Sequence, residues 1–498
     1  MGHGSRSRRR EAALGNEPNP ETEDGDGFKA ERAAHKARQR RRKNERRHDK
    51  VAEILGRIPP PPGCVSSAHA SDLQMFTPLE RTAAWEELNG DGASIIDWSS
   101  MGSACDPASM AGDGDERVMR GLGEANDHRP TGARAHDREH HAASTSVGYV
   151  HRGGGSIGEG TEADVKGHDE EVNRRALRKR WQVESFAVVL REMALARERR
   201  AAAAAGDGNE GGRAGVDVDA PLRVVDFGAG SGNLTLPLAK RFPEMRFTAV
   251  EMKRRSADLL ERRAAAAGLS NVDVHVGMIE TSVLKPFDVG VALHACGNAT
   301  DWAIARSVAA GASFIVSPCC IGKLKFSLAG GSSFSATNKD WTLRPKLDAK
   351  DGAKLDAAKD ASAAALDAAG GEGAGDDVTR VCQPVITHPR SRWMAAVLEG
   401  PGDFAALAAA ADTGHGKAVQ GHATTAAAVS QLGRRAKVQV ELDRAQAARE
   451  AGYAVVTLAV IRAASAPPNK ADLIVGVPEG REGMLDRLRP TAAAEDEK

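Results

Sequence analysis

The apolar positions of this chain keep a regular rhythm from about residue 171 to 317, and again from 437 to 477. Phe186, Val189, Leu190 and Met193 share one helical face, which predicts a helix over 171–200 with a solvated arginine-rich side. An apolar strand at 222–225 follows. Leu234, Leu238 and Phe242 then recur at four-residue spacing in a helix whose first turns Pro237 is expected to bend. A second apolar run covers 246–250, and a helix over 253–267 stops at Gly268. Val272, Val274 and Val276 alternate as a third strand; Val289, Val291 and Leu293 alternate as a fourth. Asn298 or Thr300 can cap a helix that ends at Gly311, before a fifth strand at 313–317. A helix over 437–451 precedes strands at 453–461 and 472–477, joined by a loop short enough for an antiparallel pair. Strands alternating with helices imply an α/β fold: a doubly wound, Rossmann-like, mainly parallel seven-stranded sheet with an antiparallel last strand. Ligands of such sheets bind beyond the carboxyl ends of the strands.

Outside these stretches the rhythm fails. Residues 1–58 form a basic charged segment closed by Pro59-Pro-Pro-Pro62, and 59–170 read as low complexity and mostly disordered. Residues 201–220 read as a linker. The core is expected in two parts, 171–335 and 381–480, around a low-complexity insertion at 336–380, with a tail at 481–498. His128, His136, His140, His141, His151 and His168 lack regular spacing and read as incidental rather than metal ligands.

Composition sharpens this picture. Only 41% of the 498 residues are hydrophobic and 4% aromatic, which fits one sizeable domain diluted by low-complexity extensions. A net charge of zero points to no nucleic-acid or membrane partner on average. The run Arg38-Gln-Arg-Arg-Arg-Lys43 with Arg46 and Arg47 is the local exception: it suits phosphate contact or nuclear import, or is a solvated basic helix. Acids between 11 and 26 argue against an organellar transit peptide, and Arg6 stands where myristoylation needs Ser or Thr. Six cysteines without a signal peptide suit reduced thiols, and no run of about 18 apolar residues occurs. A cytoplasmic protein is expected, with the nucleus as the alternative and no membrane partner; the oligomeric state stays open.

The chemistry centres on Asp226-Phe-Gly-Ala-Gly-Ser-Gly-Asn233, a D-x-G-x-G-x-G turn between strand and helix. Gly228, Gly230 and Gly232 allow the sharp turn and let a ligand lie on bare backbone. Gly232 and Asn233 are expected at a helix N-terminus. A dinucleotide fingerprint beginning at Gly228 would need glycine at 233, where Asn233 stands. Asp226, two residues before the first glycine, suits instead a ligand with an amino group, S-adenosylmethionine (SAM). Glu251, 19 residues after Gly232 at the end of the second strand, is placed to accept both ribose hydroxyls. Phe227, Met252 and Leu293 flank these positions. Met278 and Ile279 follow the third strand. The turn there resembles that of class I methyltransferases, many of which place in it an acid that bonds the adenine amino group. With Glu280 one or two places late, the resemblance implies that backbone groups serve instead and that Met278 and Ile279 sandwich the adenine. The alternative, a turn that only packs helix on sheet, leaves both acids unexplained.

Methyl transfer needs an in-line nucleophile, often with a base. His294, at the end of the fourth strand, is the candidate base and Asp301 its candidate orienter; equally, His294 can bond loop backbone and shape the pocket. Cys319 is a candidate nucleophile or a small pocket-lining residue. His294, Cys296, Cys319 and Cys320 could converge on zinc, but without a C-x-x-C pair no metal is expected. Lys323 can contact an anionic substrate or activate a ribose hydroxyl.

The glycine turn, Leu293-His-Ala-Cys-Gly-Asn-Ala-Thr-Asp301, Pro318-Cys-Cys-Ile-Gly-Lys323 and Pro468-Asn-Lys-Ala-Asp472 together resemble a methyltransferase-like family. That family includes the methyltransferase half of the glutathione S-transferase C-terminal-domain-containing protein. The segment from His294 to Asp301 is also similar to acceptor-stem tRNA 2′-O-methyltransferases. The resemblance covers roughly 175–335 and 381–480. It implies a class I fold, SAM as cofactor and a methyl acceptor that includes RNA, tRNA in particular, among its candidates. On that reading Lys323, Lys325, Arg390 and Arg392 border the pocket as phosphate contacts. No glutathione-transferase domain is visible in 1–170, and the zinc pattern of the acceptor-stem enzymes is missing, since Cys64 and Cys105 stand alone there. A non-catalytic SAM-binding or RNA-binding scaffold is the alternative from another class.

Overall fold

A computed structural model describes residues 21–62, 75–89, 94–109, 162–206, 220–324, 386–412, 423–463 and 470–490. The chain divides into two compact units, residues 1–50 and 51–498. The helix α1 (Glu21–Arg57) supplies the described part of the first, where residues 32–39 and 42–47 are exposed.

Among the described residues, the second unit is built on an eight-stranded sheet. Its strands are β1 (Thr77–Pro78), β2 (Arg223–Phe227), β3 (Arg246–Glu251), β4 (Val272–Val276), β5 (Val289–Leu293), β6 (Ser313–Ser317), β7 (Tyr453–Ala459) and β8 (Asp472–Pro478). The spatial order is β1-β7-β8-β6-β5-β2-β3-β4. All pairs are parallel except those of β8, which runs against both β6 and β7. The antiparallel last strand is thus where the sequence predicts it.

Central strands covered on both faces read as continuous apolar runs, and their alternate residues feed two cores. Val224, Phe247, Ala249, Val291 and Ile315 face one layer, with Phe186 and Leu190 of α3 (Glu162–Gly206), Leu238 of α4 (Thr235–Arg241) and Leu260 of α5 (Arg254–Ala266). Val225, Phe227, Val250, Phe314 and Val316 face the other, with Ala303 and Ile304 of α6 (Ala299–Ala309) and Ala445 of α9 (Ala423–Glu450). The three layers place every parallel strand's carboxyl end on one edge, which carries the site.

Several boundaries differ from the sequence reading. The sheet has an eighth strand, β1, at the edge of β7. It belongs to a folded part of the segment read as low complexity: α2 (Ala83–Asn89) and residues 94–109 bury Leu79, Ala84, Ile96, Met101 and Cys105 in the first core. These apolar residues are too sparse for a periodic signal, and long-range polar contacts hold them. Arg180 donates from Nε to Asp106 Oδ1 at 3.1 Å, and Arg241 from Nε to the Ile95 carbonyl at 2.7 Å. Arg180 is therefore not on a merely solvated face. Pro237 lies in the first turn of α4, where an absent N–H breaks no intrahelical bond. The stretch between 321 and 436 contains α7 (Arg392–Ala395) and α8 (Pro401–Ala411), and α9 begins well before 437. Val51, Ile54 and Leu55 of the N-terminal segment pack with Phe404, Leu407 and Val440. Met484, Leu485 and Leu488 bury in the first core, so 481–490 is no tail. The insertion at 336–380 and five of the incidental histidines lie outside the described residues; His168 falls on α3. No described helix is long and apolar enough to cross a membrane.

Candidate functional site

The glycine turn leaves β2 and closes onto β3. Gly228 and Ala229 donate their amides to the Val250 carbonyl at 2.9 and 3.1 Å. Glu251 then anchors the turn: its Oε2 accepts the Gly230 amide at 2.9 Å and its Oε1 the Lys253 amide at 2.8 Å. Each oxygen keeps a further lone pair. Gly228, Gly230 and Gly232 have φ of 78°, 59° and 87°. A Cβ on Gly228 or Gly230 would meet open space, so the turn presents bare backbone on that side. Asp226 is 1% exposed and accepts the Thr235 hydroxyl on Oδ2 at 2.6 Å. Burial, reinforced by the Glu251 carboxylate and opposed by Thr235, pushes its pKa up to about 7.

Other predicted cofactor residues divide. Met252, Met278 and Leu293 are half-buried at the carboxyl edge, and Ile279 is nearly buried in the turn after β4. The Gly277 amide ties that turn to the Glu251 carbonyl at 3.0 Å. Phe227, by contrast, points its ring into the second core, edge-on to Phe287 at 5.8 Å, which leaves only its main chain for a ligand. Asn233 is likewise turned away: its Oδ1 accepts from Arg263 Nη1 at 3.1 Å, and Leu234 rather than Asn233 caps α4. Arg263 was not among the predicted residues. Fully buried on α5, it also donates to the Ser231 carbonyl and, from Nε, to the Ala104 carbonyl at 2.9 Å. One guanidinium thereby fixes the glycine turn to the folded 94–109 segment. A helical phase that puts position 263 three residues after Leu260 is the signal that could have found it.

At the ends of β5 and β6 the structure corrects the proposed pairing of His294 with Asp301. His294 has φ of 61°, and its Nε2 faces Gln182 Oε1 of α3 at 3.1 Å. Gln182 donates its own amide to the Lys470 carbonyl at 2.9 Å, which leaves Oε1 to accept Nε2–H. His294 Nδ1 is buried and has no partner among the described residues. Burial, then the Lys470 ammonium, pushes the imidazole down to about 3, so it stays neutral. Asp301 lies instead under α9. Arg444 donates to it from Nε at 2.9 Å and Nη2 at 2.8 Å, and His388 Nε2 stands at 3.3 Å. Asp301 therefore fixes α6 to α9 and touches no reacting group.

Arg390 Nε also approaches Asp301, at 3.8 Å, while Arg392 donates to Glu450 at 3.3 Å. Both expected phosphate contacts thus have carboxylate partners within the fold, Asp301 for Arg390 and Glu450 for Arg392; Lys325 lies outside the described residues. Cys296, between β5 and α6, meets Cys319 Sγ at 3.4 Å, and Cys319 Sγ lies 3.5 Å from Cys320 Sγ. The missing C-x-x-C pair thus did not prevent convergence, since the sulfurs come from two neighbouring strand ends. Hydrogen bonds from Cys319 and Cys320, helped by the Lys323 ammonium, pull the Cys296 thiol well below its usual range. Those bonds and burial push Cys319 well above it. Cys319 is then a thiol, a poor nucleophile, and Cys296 is the more thiolate-like sulfur. Lys323 keeps its charge: burial opposes it, but the three sulfurs raise its pKa on balance.

Comparison with known proteins fits this geometry. Residues 178–326 match a family described as a methyltransferase domain. The chain is 37% identical over 119 residues to the glutathione S-transferase C-terminal domain-containing protein of Mus musculus, covering 23% of this chain and 19% of that protein. The homologue in Drosophila melanogaster is 36% identical over 103 residues, 21% of this chain and 17% of its own. The ribosomal RNA small subunit methyltransferase G of Deinococcus radiodurans is 40% identical over 67 residues, 14% of this chain and 26% of that one. The chain therefore spans about a fifth of the length of the first of these relatives. The matched residues contain the glycine turn, Glu251, His294 and the cysteine cluster, on the parallel strands β2 to β6. Residues 178–326 of this chain thus carry a methyltransferase domain on a class I α/β sheet, similar to part of the glutathione S-transferase C-terminal domain-containing proteins.

Proposed function

We propose that this domain is catalytically active and transfers the SAM methyl group to RNA. The observation that carries the reading is the open, backbone-lined side of the glycine turn, docked on Glu251, with a neutral His294 following the neighbouring strand β5. Asp226 would meet the ligand's ammonium, the remaining lone pairs of Glu251 would accept the ribose hydroxyls, and Met278 and Ile279 would flank the adenine. When bound, SAM would supply an electrophilic methyl carbon for in-line attack by the acceptor oxygen and would leave as the neutral thioether, its sulfur keeping the electron pair of the broken bond. The acceptor's proton passes to His294 Nδ1, the buried unpartnered lone pair. An imidazole near pKa 3 is a weak base, but an oxygen bearing both proton and methyl group is far more acidic than imidazolium. RNA is supported by the ribosomal RNA methyltransferase among the relatives, by the His294–Asp301 segment, and by the charged Lys323 in the turn after β6. The exposed arginines and lysine of α1 supply sequence-independent phosphate attraction.

The test is transfer of labelled methyl groups from SAM to total RNA by the full chain. His294→Gln is expected to lower kcat by about 10²- to 10⁴-fold with the SAM Kd unchanged. Replacing Arg42, Lys43, Arg46 and Arg47 with Ala is expected to weaken RNA binding and flatten its salt dependence. Label reaching protein instead of RNA sinks the acceptor assignment. SAM binding with no transfer to any acceptor favours the scaffold reading.

Asp226 adds a pH signature. Its pKa of about 7 in the free protein must fall when a cationic ammonium arrives, so SAM binding releases a proton below that pH. Affinity is expected to be full above about pH 7 and to weaken by up to about tenfold per unit below it. Calorimetry between about pH 6 and pH 8 checks this, and Asp226→Asn should remove the slope. A slope that survives in Asp226→Asn would assign the titration elsewhere.

A further inference from the structure

We infer that Cys296, Cys319 and Cys320 form a binding site for a thiophilic divalent cation, with zinc as the ion to try first. The site is independent of which acceptor the domain methylates. Its three Sγ atoms lie within 4.8 Å of one another, with two of the three separations at 3.4 and 3.5 Å. A tetrahedral zinc with Zn–S bonds of about 2.3 Å holds its sulfurs about 3.8 Å apart. Small opening movements of side chains therefore convert the cluster into three corners of a tetrahedron.

The backbone around the cluster is already fixed. The Gly297 amide donates to the Cys320 carbonyl at 3.1 Å, linking the loop of Cys296 to the loop of Cys319 and Cys320. The following turn, residues 321–323, sits on the Asp412 carboxylate, which takes the Ile321 and Gly322 amides; a Cβ at Gly322 would lie 2.6 Å from Asp412 Oδ2. The Oδ1 of that carboxylate is buried with no partner among the described residues.

Charge balances with an ion present. Each thiol gives its proton to solvent as its sulfur takes the cation, so three thiolates around a divalent ion carry one net negative charge. Lys323, bonded to Cys296, neutralises that charge. Among the described residues no fourth Cys, His, Asp or Glu completes the group. Cys296 and Cys320 keep some exposed surface, so the fourth position opens to solvent at the carboxyl edge of β5 and β6. Three protein ligands with one open position is the arrangement of zinc sites that bind an exchangeable water or substrate atom.

The test uses the full chain, reduced and stripped of metal by chelator, titrated with Zn²⁺ against a chromophoric competitor. One ion per chain is expected. Cys296→Ala and Cys320→Ala, both at partly exposed positions, should each lower zinc affinity by at least ~100-fold, more than loss of a ligand's outer hydrogen-bond partner costs. Cys105→Ala, at a buried cysteine remote in sequence and bonded to none of the three, should leave it unchanged. Loading with Co²⁺ should give sulfur-to-metal charge-transfer absorption that vanishes in Cys296→Ala, while circular dichroism shows that the variant remains folded. Uptake that survives both cysteine variants would overturn the site. So would three thiols that alkylate equally fast with and without zinc, which would make the cluster plain sulfur packing.

Discussion

Gly230→Arg is expected to abolish SAM binding, by more than ~100-fold in affinity, while costing the fold only about 1 kcal/mol. The cost is small because φ at Gly230 is 59°, a left-handed conformation that an L-residue adopts at about that penalty, and because its Cβ would project into open space. The open space is the side on which the cofactor lies against backbone, so the arginine fills the ligand's place rather than the protein's. Gly232→Ala is expected to behave differently. Its Cβ would lie 2.8 Å from Leu236 Cγ and 2.9 Å from Leu260 Cγ, at φ 87°. Those leucines belong to the buried core, so the turn itself must move. Stability and SAM affinity should then fall together. Calorimetry with SAM and thermal unfolding on both variants separate the two cases. Normal SAM binding by Gly230→Arg would remove the cofactor from the glycine turn, and unchanged melting of Gly232→Ala would show that α4 and α5 yield more easily than their packing implies.

What the sequence revealed and what it hid follow the range of the interactions. The central strands carry their own alternation, the glycine turn its own spacing, and Glu251 its distance from that turn, so these were legible one segment at a time. The eighth strand was not, because Thr77 and Pro78 form only a two-residue edge whose register on Leu458 and Ala459 is set by contacts across the sheet. Arg263 and Gln182 stood among other polar residues of their helices, and only the packed structure shows that one pins the glycine turn and the other holds His294. The pairing of His294 with Asp301 failed for the same reason. They are neighbours in one short motif, yet the first turn of α6 points Asp301 inward, and its partner Arg444 is supplied by α9 from the far end of the chain. The three sulfurs converge because β5 and β6 are adjacent in the sheet, a fact that spacing rules for a single local motif do not contain.

Arg444→Met is expected to destabilise the protein by about 3–5 kcal/mol near neutral pH, because it strands a buried charge. Asp301 is fully buried, and burial alone would raise its pKa; the Arg444 guanidinium overrides this and holds the carboxyl well below the usual carboxylate range. In the native protein Asp301 thus contributes stability that is present above its unfolded pKa and is lost only as pH falls through the depressed folded value. Without Arg444, His388 Nε2 at 3.3 Å and Arg390 at 3.8 Å remain, neither with the two-point contact that Arg444 makes. Burial then dominates and raises the folded pKa, which reverses the sign. The variant is most stable where Asp301 is protonated, and it loses stability as pH rises through the raised value. The gap between native protein and variant should therefore narrow steadily on acidification from about pH 8 toward pH 5. Asp301→Ala is expected to cost as much or more without narrowing in this way, because the stranded Arg444 cannot shed its proton. Denaturant unfolding of the three proteins across this range reads the difference. A gap for Arg444→Met that stays constant with pH would mean that water reaches Asp301 once the guanidinium is removed, and that the carboxylate is not held by Arg444 alone.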